Sequence, residues 1–519
     1  MKKISFLLCL GICALHLNAQ PTFSEHISPI IYEHCTSCHR PGEVGPMPFT
    51  SYTEVAAYAG MIEYVTSIRY MPPWKPDASY SHFLDENLLT DSEIASIKDW
   101  VQAGAPQGNP ALEYPLPTFP SGSQLGTPDL QIAFEQSYTH VGNNTDEYRV
   151  FVLPTNLMED KDLVALELRP GNRAIVHHAL FSWDTTGTAQ SMDNDDPGYG
   201  YAAFGGFGIP SAGLNQYPGY VPGQRVREFP QGMGQKLFAG ADILVQMHYA
   251  PTGVDETDSS VVNLFFAEAP VSRYIYNNIM LPTPGTLTNG PFIIPANSVK
   301  TFHGVWNIPS HISLLAVTPH MHLLGQNWEV LAIRPNGDTI PLIRINEWDF
   351  NWQGTYRLDR LIPLEAGSQI HAYATYDNTV NNPLNPNNPP LLVKWGEKTS
   401  DEMYYLPITY VNYQQGDENV VLTDAEDLAD LFPQHKMYPI SPNPASSEVQ
   451  IGFALEQGEQ VWCRVMTIEG KEVAKLSEGK LYPPGHQRIS WDFAWLPAGV
   501  YMVEVRAGMW RGVEKVVKF

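Results

Sequence analysis

Proline interrupts this chain too often for it to be a bundle of long helices. There are 44 prolines and 40 glycines among 519 residues, with 11% aromatic and only 17% charged residues. Proline lacks a backbone donor and breaks a helix interior. The composition therefore predicts short strands joined by turns, in a multidomain and mainly β protein. A chain of this length predicts about three to five domains of ~100–200 residues each. The formal net charge is -24. An acidic surface lacks the basic footprint that phosphate binding needs, which argues against nucleic acid as a partner.

Residues 1–19 read as an export signal. Lys2 and Lys3 form the positive end, Ile4 to Leu17 the apolar run, and Leu17-Asn18-Ala19 a cleavage motif. That run is too short to span a bilayer comfortably, and no other apolar stretch is long enough, so no transmembrane segment is expected. Cys9 and Cys13 leave with the signal. Only Cys35, Cys38 and Cys463 remain, too few for a disulfide scaffold. Each domain must be stable through its own core.

Cys35-Thr36-Ser37-Cys38-His39 has the C-x-x-C-H spacing of haem c attachment. Two thiols three positions apart reach the two vinyl groups of one porphyrin, and His39 then lies under the iron. A redox dithiol would want a βαβ context and a zinc site a second Cys/His pair. Neither stands nearby. In "FSEHISPIIYEHC", Ile27, Ile30 and Ile31 fall on one face of a short helix. "LTDSEIASIKDWVQAGAP" reads as a closing helix, capped by Thr90 or Asp91, striped by Ile94, Ile97 and Val101, and stopped by Gly104 and Pro106. A small all-α haem domain is expected over 20–110. Its sixth ligand is expected to be Met71, in "RYMPPWKPD", with Met47 and Met61 as alternatives. "HRPGEVGPMPF" with the later "MPPW" resembles bacterial c-type cytochrome modules fused to other enzymes, over Phe23 to about Pro106, and that resemblance favours Met71.

The remaining histidines gather in apolar, β-prone runs: "AIVHHALFSW" (His177, His178), "ILVQMHYAP" (His248) and "LLAVTPHMHLLG" (His320, His322). Side chains at i and i+2 of a strand point the same way, so His320 and His322 converge on one face. His177 and His178 would point apart in a regular strand. For them to share a metal, the strand must bulge or end there. A lone histidine on an apolar strand is more often a core residue bonded at its tip, which is the expectation for His303, His311, His371, His435 and His486.

The order His-His, Gln-x-His-Tyr, His-x-His-hydrophobic-Leu-Gly, then a downstream Met resembles that of the copper type II, ascorbate-dependent monooxygenases, over about Thr127 to Pro433. The resemblance implies two copper ions. His177, His178 and His248 would hold the electron-transfer copper, with Gln246 beside it. His320, His322 and Met403 (in "WGEKTSDEMYY") would hold the copper where O2 binds and a C–H bond is hydroxylated. It also implies two β-sandwich (jelly-roll-like) domains, 127–272 and 273–433, facing each other across a solvent-filled cleft. The disulfides of the eukaryotic enzymes have no counterpart, and neither do their substrate-anchoring residues. Independently of family, two imidazoles with a thioether suit Cu(I), because soft sulfur prefers the soft ion.

Past "DLADLFPQHK" the chain alternates apolar and polar residues as half-buried strands do. Residues 437–519, opening at "SPNP" and turning at "LPAGVY", are similar to the C-terminal sorting domains of type IX secretion, with an Ig-like β-sandwich as the expected fold. "SMDNDDPGYGYAAFGGFGIPSAG" and "NTVNNPLNPNNPP" are expected to be loops. Together these readings predict a secreted or cell-surface oxidoreductase. It would use O2 and an external electron donor, act on a substrate the sequence does not name, and engage the type IX secretion machinery. The alternative is a surface haem and copper electron-transfer protein without hydroxylase activity.

Overall fold

The computed structural model describes residues 20–117, 119, 122–203, 206–209, 216–422, 436–437, 440, 443, 445–455, 459–468, 471–482, 485–508 and 510–519. The expected export signal lies outside the described residues. The chain forms two compact units, Met1–Val420 and Val421–Phe519, and is mainly β. Among the described residues no helix is long and apolar enough to cross a membrane.

The larger unit begins with helices Ser28–His34, Tyr52–Ala57, Ala59–Ser67 and Asp91–Gln102. They close over Phe23, Ile27, Ile31, Val55, Ile97 and Trp100, all buried. The last of these helices starts on a capping box. The Thr90 hydroxyl accepts from the Glu93 N–H at 3.2 Å, and the Glu93 carboxylate accepts from the Thr90 N–H at 2.7 Å. Two otherwise orphaned donors are thereby satisfied.

An eight-stranded sheet follows, in the order Leu130–Ala133, Val261–Phe266, Lys161–Arg169, Met233–Leu237, Arg273–Met280, Leu406–Asn412, Ile312–Val317, Tyr356–Leu364. Its first half shares a core, including Leu163, Leu237, Phe151, Phe181 and Val245, with a five-stranded sheet. That sheet runs Tyr201–Ala202, Glu147–Pro154, Asp242–Tyr249, Val176–Asp184, Tyr217–Tyr220. The second half shares a core, including Met280, Leu314, Phe302, Trp328 and Ala372, with a four-stranded sheet. Its order is Ser298–Asn307, Gln369–Asn378, Gly325–Ile333, Thr339–Ile345. Burial alternates strictly along Gln369–Asn378, as it should when one face of an antiparallel sheet is packed and the other wet.

The two sandwiches are joined edge to edge through one sheet. The seam is a two-residue parallel ladder, Arg273 beside Met233 and Tyr274 beside Gly234. Asp417 secures it from the second side. It accepts from Arg273 at 2.9 and 2.7 Å and from the Ser313 hydroxyl at 2.5 Å.

One expected loop begins instead as the helix Thr188–Asp195. No apolar stripe marks it, because a carboxylate starts it: Asp184 accepts the N–H groups of Thr186 at 2.8 Å and Ala189 at 3.0 Å. Residues 204–205 and 210–213 of the same tract lie outside the described residues. The asparagine-proline tract is a loop, stitched down by its own side chains. Asn378 donates to the Leu391 carbonyl at 2.7 Å, and Asn382 to that of Leu323 at 3.2 Å.

In the smaller unit, a three-stranded and a four-stranded sheet enclose Val449, Phe453, Val465, Trp491 and Val503. Cys463 is a free thiol inside this core, and burial pushes its pKa up to about 12. A thiol held protonated in this way is unreactive.

Candidate metal centre

His178 stands directly opposite His248 on the neighbouring strand. The pairing slips between Val176 and His178, which leaves His177 as an extra residue. Such a bulge re-aims a side chain that a regular strand would send to the other face. The result is that His178 Nδ1 lies 3.1 Å from His177 Nδ1 and 3.2 Å from His248 Nδ1. Ligand atoms of all three lie within 4.8 Å of one another. One ring proton cannot satisfy three converging nitrogens, whereas a cation between them can.

The far nitrogen of His248 is occupied. His248 Nε2 lies 2.8 Å from Asp146 Oδ1, which also accepts from the Thr399 hydroxyl at 3.0 Å. A carboxylate on one ring nitrogen holds the proton there and leaves the other as a lone pair for metal. The Tyr148 ring stacks on His248, with centroids 4.3 Å apart. Its hydroxyl donates to the Glu397 carbonyl at 2.6 Å. Burial, then the like charge of neighbouring histidines, lowers His177 to about 4 and holds His178 well below its ordinary range. Burial raises the Asp146 carboxyl, but the bonds from His248 and Thr399 outweigh it and its pKa ends low.

His320 and His322 lie beyond the end of strand Ile312–Val317, where a single bridge ties His320 to Tyr405. The expected alternation survives without a regular ladder. Met321, between them, is fully buried in the core, and the two imidazole centroids are 5.1 Å apart. His320 Nδ1 meets Gln353 Oε1 in a short contact, and His322 Nδ1 lies 3.2 Å from the Asp401 carbonyl. Both rings therefore keep Nε2 for a ligand. Burial lowers His320 to about 3 and His322 to about 4.

Met403 is half-buried. Its carbonyl accepts from the Tyr376 hydroxyl at 2.8 Å. The neighbouring Glu402 carboxylate, fully buried, accepts from the N–H groups of His322 at 2.9 Å, Leu324 at 2.6 Å and Met403 at 3.1 Å. One carboxylate thus holds the histidine segment and the methionine segment together. Burial pushes its pKa up to about 8, against the pull of those N–H groups.

A solvent-filled cleft between the two histidine groups was expected; instead they are neighbours. The His178 and His320 centroids are 6.3 Å apart. Phe350 stacks on His177 at 5.1 Å and meets His322 edge-on at 5.6 Å. Gln246 is buried, and its amide donates to the carbonyls of Gly206 at 2.6 Å and Ala203 at 3.4 Å, so it braces a loop.

In the helical module, Cys35 and Cys38 are free thiols. His39 Nδ1 lies 3.0 Å from the Met47 carbonyl, and its ring stacks on Phe49 at 4.6 Å. His39 Nε2 is left available, which fits an axial ligand. Tyr58 lies against Phe49, and Tyr58, Met61, Tyr64 and Ile68 form an exposed apolar face along the helix that follows. Such a face suits a flat apolar group. The Met47 carbonyl is used on the Nδ1 side of the ring, Met61 is 56% exposed, and Met71 is half-buried.

Asp146, Tyr148, Phe350, Gln353, Thr399 and Glu402 complete this centre, and none was singled out in the sequence. Glu402 alone left a signal, as an acid directly beside the methionine in an apolar segment.

Residues 286–424 match the family model of the copper type II ascorbate-dependent monooxygenase, C-terminal domain. Residues 438–518 match the secretion system C-terminal sorting domain. The first match implies copper binding. The second marks the protein for secretion or display at the cell surface. Neither segment reaches the helical module or the first β-sandwich. No curated protein matches the chain. Solved structures match it distantly. A β-glucuronidase of Ruminococcus gnavus is 12% identical over 43% of this chain and 36% of that one, with a TM-score of 0.12. PNGF-II is 12% identical over 55% and 65%, with a TM-score of 0.23. The chain thus spans little more than a third of the β-glucuronidase it matches.

Proposed function

We propose that the larger unit is a two-copper monooxygenase that hydroxylates a C–H bond. His177, His178 and His248 hold the electron-transfer copper; His320, His322 and Met403 hold the copper at which O2 is consumed. Bound copper supplies the redox chemistry for R–H + O2 + 2e⁻ + 2H⁺ → R–OH + H2O. The observation that carries the reading is the sorting of ring nitrogens. Asp146 occupies Nε2 of His248, and the Nδ1 atoms of the first group converge. Gln353 and Asp401 occupy Nδ1 of His320 and His322, which frees Nε2 in the second. The Met403 thioether favours the reduced ion. Phe350 contacts one ring of each group, His177 and His322.

Electrons would arrive through haem c on Cys35, Cys38 and His39, with Met71 as the distal ligand. As the electron-transfer site that the resemblance implies, the first histidine group would be the entry point, but the contacts of Cys38 favour the second. Cys38 Sγ lies 4.0 Å from the Gly223 carbonyl. A Cβ on Gly223 would stand 3.5 Å from Cys38 Sγ and 3.9 Å from the Trp352 ring. Trp352 adjoins Gln353, which holds His320. An external donor would reduce the haem, and tethering replaces diffusion with a local concentration of order mM. The type IX machinery would export the protein.

The 6.3 Å approach of His178 to His320 favours a second reading, an electron-transfer protein that hydroxylates nothing. Copper analysis followed by turnover under ¹⁸O2 with a reductant and a panel of small organic and peptide substrates decides. Two coppers with ¹⁸O in a product supports hydroxylation. Two coppers that cycle between oxidation states with no product labelled supports the second reading.

A further inference from the structure

We infer that Asp146 is a positioning residue shared by both histidine groups. Its carboxylate sets His248 to ligate through Nδ1 and, through Thr399, pins the methionine-bearing segment beside it. The inference rests on the copper reading above and assigns a role that the ligand set alone does not contain.

Three observations carry it. First, one oxygen does both tasks: Asp146 Oδ1 lies 2.8 Å from His248 Nε2 and 3.0 Å from the Thr399 hydroxyl. Second, register explains why it can. Tyr148 stands opposite His248 on the adjacent strand, and Asp146 precedes that strand by one residue. Tyr148 then adds a parallel tie. Its ring lies over His248 and its hydroxyl reaches the Glu397 carbonyl at 2.6 Å, two residues before Thr399. Third, the pinned segment continues directly into the second group. The Asp401 carbonyl faces His322 Nδ1, and Glu402 holds the His322 and Met403 N–H groups. A shift at Thr399 is therefore transmitted within four residues to Met403.

The two halves of the inference have separate signatures. A neutral amide at position 146 holds the His248 proton less firmly, so some rings present N–H to the metal. Loss of the Thr399 hydroxyl keeps the Asp146–His248 contact, with one partner fewer on the carboxylate, but frees the methionine segment.

The test uses the full chain, Cu(II) titrations followed by electron paramagnetic resonance, and Cu(I) titrations against a chelator. Asp146→Asn should weaken Cu(II) at the first group by roughly 10–100-fold and change its hyperfine pattern, the usual cost of losing an outer partner of a ligand. Thr399→Val should perturb the first-group spectrum less than Asp146→Asn does and weaken Cu(I) binding at the second. Thr399→Ser, which keeps the hydroxyl, should restore it. Wild-type affinity and hyperfine in Asp146→Asn overturns the first half. Wild-type Cu(I) affinity in Thr399→Val overturns the second. Thermal unfolding checks each variant, and the Thr399 pair decides the second half even where Asp146→Asn fails to fold. A wild-type chain that takes up fewer than two coppers overturns the copper reading itself, an outcome separate from the other two.

Discussion

Met403 and Glu402 are adjacent in sequence and divide the work at the second histidine group. In the proposed copper reading the thioether would set which oxidation state is preferred, and the carboxylate holds the backbone of the segment that carries it. Met403→His should still bind Cu(II) but hold Cu(I) more weakly, with turnover falling further than copper content. Unchanged Cu(I) affinity against a chelator would remove Met403 from the site. Glu402→Gln replaces an acceptor of three backbone N–H groups by an amide that presents a donor to them. Leaving a buried donor without its acceptor costs about 1–3 kcal/mol. The substitution should destabilise the larger unit by about 3 kcal/mol in urea unfolding. The convergence of the histidines was legible in the sequence because they fall in pairs and in apolar runs. Asp146, Thr399 and Gln353 were not. Aspartate, threonine and glutamine are common on any surface, and Asp146 and Thr399 meet across 253 positions of chain.

Elements whose causes are local were the readable ones. The helix Asp91–Gln102 has its cap, its stripe and its stop within one short stretch. The helix Thr188–Asp195 has none of these and depends on Asp184, so it passed for a loop. A slipped ladder at His177 could be stated only as a requirement, because a bulge is a relation between two strands. The shared sheet was equally hidden, since its seam is parallel and two residues long. Asp417 gives that seam a pH signature. Burial raises its carboxyl, but Arg273, Ser313 and the Gln414 N–H pull it below the ordinary 3.8. The folded state therefore binds this proton less readily than the unfolded one. The stability it contributes is present above the unfolded pKa and is lost as pH falls through the folded value. Asp417→Asn should lower stability at neutral pH and flatten the acid limb below about pH 4. Parallel limbs in wild type and variant would show that Asp417 does not couple to folding.

Glu43 and Asp85 are among the acidic residues that fasten the helical module to the rest of the larger unit. Glu43, four residues past His39, meets Arg40 at 2.9 Å, Arg169 at 3.4 Å and Arg173 in a short contact. Asp85 meets Arg357 at 3.1 Å and Arg227 in a short contact. Arg169 and Arg173 belong to the first sandwich, so the cysteine loop is anchored to that sandwich. Protein matured with cytochrome c assembly should carry haem that survives acid–acetone extraction, and Cys35→Ala with Cys38→Ala should abolish it. In the haem-loaded chain, Glu43→Gln should slow anaerobic haem reoxidation by Cu(II) in stopped flow. A wild-type chain without covalent haem would refute the haem assignment, and an unchanged rate would refute the anchoring role. The fused sheet, finally, changes what counts as one molecule. Residues 268–270 form an exposed connection between the sandwiches. A protease that nicked the chain there would produce two polypeptides but not two bodies. The seam, the Tyr148–Glu397 tie and the Asp146–Thr399 bond would still bind the fragments together, and they would travel as a single species until denatured.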